Sequence, residues 1–149
     1  MEYFAYSQKE FVYKYVVMLS DTDQFQHMSF ANYLKLMFLA TDALLLPCFN
    51  SKFLSQRRIR LVNSRMQFKR QTTVGDCTHI KVNASELNGA RFSLLHTFMI
   101  EATAELVALG KQTYELSDLS GQLLTELPDT VSRLLEPIRV EEEHLLYKY

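Results

Sequence analysis

Between Ser20 and Ser29 the chain carries two acids and an imidazole within seven positions, Asp21, Asp23 and His27, in the run DTDQFQHM. Carboxylate and imidazole at this spacing suit proton transfer or nucleophilic attack, since both are common general acids and bases and imidazole titrates near neutrality. The same segment is rich in residues that favour turns and caps, and Ser29 is placed to cap a helix beginning at Phe30. A helix amino end presents unpaired N–H groups and the positive end of a dipole, which stabilise an oxyanion. Asp23 is therefore a candidate catalytic carboxylate, with a carboxylate that merely caps its own turn as the alternative. His27 is a candidate proton relay or a packing residue, and Asp21 is read as structural, accepting hydrogen bonds from the turn.

Two elements must position this loop. The preceding segment, Glu10 to Leu19, reads EFVYKYVVML and is rich in aromatic and β-branched residues, which predicts a strand. The following stretch, Phe30 to Leu46, is apolar on nearly every face, lacks Gly and stops at Pro47, which predicts a helix enclosed by protein. Asn32, Lys35, Thr41 and Asp42 interrupt it, so it is a poor membrane span. After Pro47 the chain reads as strands. Between Arg58 and Arg70 the alternating apolar phase flips near Val62 to Ser64, which predicts a β-bulge. Gly75-Asp76 and Asn88-Gly89 mark turns, and Glu105 to Leu116 reads as the last strand of a four-stranded meander. Pro128 to Leu135 reads as a short terminal helix, followed by a tail expected to be disordered or docked on another subunit. One all-apolar helix with about five strands requires a sheet that curls over the helix.

The chain has 149 residues, 48% of them hydrophobic and 22% charged, which suits a single folded domain over 1–149 with its core at about 10–136. With 16 basic and 17 acidic residues the net charge is −1, so no global field draws it to nucleic acid or to anionic lipid. Cys48 and Cys77 fit neither a zinc site nor a disulfide framework, and the first 30 residues lack a signal-peptide pattern, so a cytoplasmic location is expected. His79, His96 and His144 lie on separate segments without ligand spacing and are read as ordinary sheet and tail residues; no metal is expected.

The run from Asp21 to Tyr33, DTDQFQHMSFANY, resembles the D-x-D-x-x-G-H-V-N-N-x-x-Y signature of hot-dog acyl thioesterases similar to 4-hydroxybenzoyl-CoA thioesterase. It also resembles plant acyl-ACP thioesterases, in which Gln-His replaces Gly-His. The likeness covers roughly Tyr13 to Leu135. It implies an α+β hot-dog fold, a curved antiparallel sheet around one long central helix, and hydrolysis of an acyl thioester of coenzyme A or of an acyl carrier protein without a cofactor. Asp23 matches the family's catalytic carboxylate, as nucleophile or general base, and the main-chain N–H near Phe30 matches the carbonyl-polarising group. His27 joins Asp23 in the catalytic set, and Ser29, Phe30 and Tyr33 are expected at the substrate, with a core position whose hydroxyl reaches the motif loop as the alternative for Tyr33. Basic residues cluster at 57–60 and again at 65–70; Arg65 and Lys69, from the second cluster, are expected to meet phosphates of the carrier, with a solvated strand face as the alternative. A homodimer or homotetramer is expected, with the 58–70 strand of a neighbour completing the site. The chain departs from the signature at Gln26, Ser29, Phe30 and Phe38, the last at a helix position often held by Glu. A hydratase or dehydratase of the same architecture and a non-catalytic acyl-binding module are the alternative functions.

Overall fold

A computed structural model describes residues 2–6, as backbone, and residues 10–141. Strand β1 (Glu2–Tyr6) pairs antiparallel with β2 (Phe11–Val16), and a single 3₁₀ turn, Leu19–Asp21, leads into the motif loop. Helix α1 (Phe30–Leu45) and the one-turn helix α2 (Ser51–Leu54) follow. Next come β3 (Arg57–Phe68), β4 (Cys77–Asn88), β5 (Arg91–Ile100), β6 (Leu106–Asp118) and a last helix α3 (Asp129–Leu135). The strands form one antiparallel sheet in the order β1-β2-β4-β5-β6-β3, so six strands replace the expected five or so, the added one being β1.

Inward-facing residues of the sheet alternate along each strand, as a half-buried sheet requires. Ile80, Val82 and Ala84 of β4 and Phe92, Leu94 and Phe98 of β5 are buried in one cluster with Tyr33, Leu36, Met37, Ala40 and Leu44 of α1. Helix and sheet approach closely at Gly110, where a β-carbon would lie 2.3 Å from the Met37 sulfur. This absent side chain lets α1 sit low on β6. The hairpin between β4 and β5 turns at Gly89, whose φ of 60° is the left-handed conformation that glycine adopts without steric cost. The expected bulge is present as well: the pairing of β3 with β6 slips between Leu61 and Asn63. Because of that slip, Leu61 opposes Tyr114 and Met66 opposes Gly110, so odd residues before it and even residues after it face the helix together.

Three expectations meet corrections. The first predicted strand ends at Val16 instead of Leu19, because Leu19 to Asp21 coil into the 3₁₀ turn. Ser29 does occupy the cap position of α1, yet its side chain makes no capping hydrogen bond. The helix is also covered on one side only. Phe30 (67% exposed), Leu34 (41%) and Leu46 (68%) lie on a stripe that the described residues leave open. The tail beyond Glu141 lies outside the described residues.

Candidate functional site

The loop before α1 is a small hairpin of its own. Thr22 bridges Met28, and the Asp23 N–H donates to the His27 carbonyl at 2.9 Å. Within it, Gln26 has φ of 60°, a left-handed conformation unusual for a side chain larger than glycine, at the position where the thioesterase signature has Gly. The Asp23 Oδ1 accepts hydrogen bonds from the Phe25 N–H (2.8 Å) and the His27 N–H (3.2 Å), so this carboxylate organises the turn as well as facing solvent. Asp21 anchors the other side. Its Oδ2 accepts from the Tyr15 hydroxyl (2.6 Å) and the Met18 N–H (2.8 Å), while its carbonyl accepts from the Asn32 side-chain amide (2.6 Å). The loop is thus pinned to β2 behind it and to the first turn of α1 ahead.

At the helix start, the N–H groups of the first residues have no partner within the helix, and Ser29 does not cap them. Phe30 is exposed and its ring lies 4.5 Å from that of Phe68, at the end of β3. Tyr33 is buried; its ring contacts those of Phe68 and Phe98, and its hydroxyl shares a 2.8 Å hydrogen bond with Thr72. Thr72 in turn holds the loop, accepting from the Met28 N–H at 3.0 Å. Burial pushes the Tyr33 hydroxyl above the usual tyrosine range, so it stays protonated near neutrality.

Asp23, His27, Ser29 and Phe30 therefore share one corner of the fold, with Tyr33 buried beneath it and Lys69 directly after Phe68. Arg65 stands apart. It opposes Lys111 on the sheet face turned away from α1, because only even residues after the bulge point inward. Of the remaining basic residues, Arg60 pairs with Glu115 (3.2 Å), Arg70 with Glu105, and Arg57 covers the Phe53 ring. Among the described residues no three His, Cys, Asp or Glu side chains are grouped to hold a metal, and no helix is long and apolar enough to cross a membrane.

A second polar group of residues escaped the sequence reading. Under the middle of α1, Thr41 Oγ lies 2.8 Å from His96 Nε2 and 2.8 Å from Gln112 Oε1, and the Tyr114 hydroxyl donates to the same Gln112 oxygen at 2.8 Å. Thr41, His96 and Gln112 are buried. Desolvation holds the His96 pKa down to about 3, so the ring is neutral. The available signal was His96 on the same strand face as Phe92, Leu94 and Phe98, a polar residue in an otherwise apolar inward row.

The sequence matches the model of the Thioesterase-like superfamily over residues 17–135, and the chain belongs to that family. Its fold is accordingly the hot-dog fold and its class of activity the hydrolysis of acyl thioesters. No curated protein matches the sequence. Among solved structures, the Dynemicin thioesterase is similar with a TM-score of 0.81 and 20% identity, over 89% of this chain and 99% of the other. A Staphylococcus aureus protein in complex with CoA has a TM-score of 0.80 at 14% identity, over 97% of each chain. The 1,4-dihydroxy-2-naphthoyl-CoA thioesterase from Synechocystis has a TM-score of 0.76 at 20% identity, over 85% and 95% of the two chains. At such identities these likenesses show the shared fold.

Proposed function

We propose that this chain hydrolyses an acyl thioester of coenzyme A or of an acyl carrier protein at the amino end of α1, with Asp23 as nucleophile or general base. The observation that carries this reading is the joining of Asp23, by its own hydrogen-bonded hairpin, to a helix start whose N–H groups Ser29 leaves uncapped. A thioester carbonyl directed at those N–H groups becomes more electrophilic, and its oxygen is stabilised as charge develops there. In the general-base route Asp23 takes a proton from water as the oxygen attacks, and the proton then passes to the departing thiolate. In the nucleophilic route the carboxylate displaces the thiolate and water cleaves the resulting anhydride. His27, half-buried on the same hairpin, orients the substrate or relays the proton. Lys69 is suited to a carrier phosphate, while Arg65, on the far sheet face, is suited to that role only for a neighbouring site.

The protein acts as a homo-oligomer in the cytoplasm. What supports assembly is the edge strand β3, twelve residues long, with Val62 and Phe68 partly exposed, since an open edge of that length pairs readily with a second copy. Light scattering at micromolar concentration is expected to give a dimer or larger; a monomeric mass contradicts it.

A non-catalytic acyl-binding role is favoured by one observation, the engagement of Asp23 Oδ1 by its own turn. Release of free thiol from a panel of acyl-CoAs decides between the two. Turnover well above the spontaneous rate supports the enzyme, and binding without any turnover supports the carrier module.

A further inference from the structure

Behind the second half of α1 lies a pocket of about 610 Å³, between that helix, α2 and the first residues of β3. Its walls are largely apolar, with Phe38, Leu45, Leu54, Ile59 and Leu61 among them, but Thr41, Asp42 and Tyr114 also line it. Those three make the pocket more than a hydrocarbon slot.

The directions of the hydrogen bonds beneath it can be assigned from proton counting. Gln112 Oε1 is an acceptor only, so Thr41 and Tyr114 each give it their single hydroxyl proton. Thr41 then has no proton left for His96, and the neutral ring must donate from Nε2 to Thr41. The chain of bonds runs from His96 to Thr41 to Gln112, with Tyr114 entering from the other side. Two of the network's remaining capacities bear on the pocket. The Gln112 amide N–H₂ group is buried with no hydrogen-bond partner among the described residues. The Tyr114 oxygen, having given its proton, presents lone pairs at the pocket wall, beside an Asp42 carboxylate that also only accepts when ionised. A hydrocarbon end group would take water from these acceptors, the buried Tyr114 oxygen above all, without replacing its hydrogen bonds, which is unfavourable.

We propose that this pocket receives the far end of the acyl group and selects one bearing a terminal hydroxyl, which donates to Tyr114 or Asp42. This deepens the thioesterase reading and rests on it for the position of the thioester. Phe30, Leu34 and Phe38 succeed one another four residues apart and give an apolar track from the amino end of α1 to the pocket. From Phe30 to Phe38 the helix rises about 12 Å, so the hydroxyl is carried on a chain longer than one aromatic ring.

The test uses two unreactive thioethers, S-(ω-hydroxydodecyl)-CoA and S-dodecyl-CoA, titrated by calorimetry into the full-length protein. The hydroxylated compound is expected to bind about tenfold more tightly, the worth of one well-placed hydrogen bond to a polar or charged acceptor. Tyr114→Phe is expected to reduce that preference to threefold or less, and the solvent-facing Asp42→Ala, which does not disturb the core, to narrow it; circular dichroism checks that both are folded. Equal binding, tighter binding of the plain chain, binding of neither, or a preference unchanged in both variants overturns the proposal. Hydrolysis of ω-hydroxydodecanoyl-CoA and dodecanoyl-CoA is measured in parallel. A hydroxyl preference in binding without hydrolysis of either sinks the thioesterase reading alone, whereas hydrolysis of both without a binding preference sinks the pocket's role alone.

Discussion

The two ends of α1 are built on opposite principles. At its amino end the polar residues lie in water or half in water, and the Asp23 side chain is held by backbone N–H groups only two and four residues away. Beneath its second half the polar residues are sealed from water, and Thr41 is joined to positions 55 and 71 residues away. A reactive carboxylate has to meet water and substrate, so an exposed hairpin that keeps its charge solvated suits it. A recognition site gains from fixed, dehydrated dipoles, because a ligand that fails to match them leaves buried groups unpaired. On the proposed reading, one helix separates chemistry from selection along its length.

The largest expected effect tests whether the exposed end is chemical at all. Asp23→Asn preserves the shape and both turn-closing hydrogen bonds but removes the charge, and hydrolysis should fall by roughly a hundredfold or more, about 3 kcal/mol of lost transition-state stabilisation. An unchanged rate in the folded variant transfers the role to His27 or to a neighbouring subunit.

The buried end should announce itself through acid. The folded pKa of His96, about 3, lies below the unfolded value of about 6.5, so the unfolded chain binds the extra proton first. The stability contribution is therefore complete above about pH 6.5 and is lost as pH falls toward 3, with a slope of up to about 1.4 kcal/mol per pH unit. Urea midpoints measured between about pH 7 and pH 5 should show this decline, and His96→Gln should flatten it. A wild-type profile that is flat across that window would mean the ring is not held neutral by burial.

Smaller effects sharpen the same contrast. Asp21→Asn should cost on the order of 1 kcal/mol by weakening the bonds from Tyr15 and Met18, with turnover per folded molecule nearly unchanged. A hundredfold loss of activity there would make Asp21 part of the chemistry. Gln26→Gly should raise stability by about 0.5–1 kcal/mol, because glycine relieves the left-handed backbone of the hairpin at some entropic cost. A lower melting temperature would show that the Gln26 side chain holds the loop in place.

How much of this was legible beforehand follows from the range of the interactions. The strands, the helix and the Val62 bulge announce themselves through period and phase within a dozen residues, and the bulge lies where parity changes between Leu61 and Met66. The short strand Glu2–Tyr6 went unread because the stronger strand signal of EFVYKYVVML lies directly after it. Enclosure of α1 was inferred from its apolar faces, yet Phe30, Leu34 and Leu46 are exposed, since apolar residues on all sides say only that something covers the helix, not that the same sheet does. The motif loop was legible because its parts are contiguous. The network of Thr41, His96, Gln112 and Tyr114 was not, because it draws on α1, β5 and β6 and exists only once the sheet register is set.

The slip at Val62 has a further meaning for how such a chain tolerates change. Since side chains alternate with every residue, the extra position acts as a phase shifter that lets one strand line the pocket with Ile59 and Leu61 and the motif corner with Phe68. Losing a single codon there would leave the composition almost intact while turning one half of the strand inside out, with either the pocket wall or the Phe68 ring facing the opposite side of the sheet.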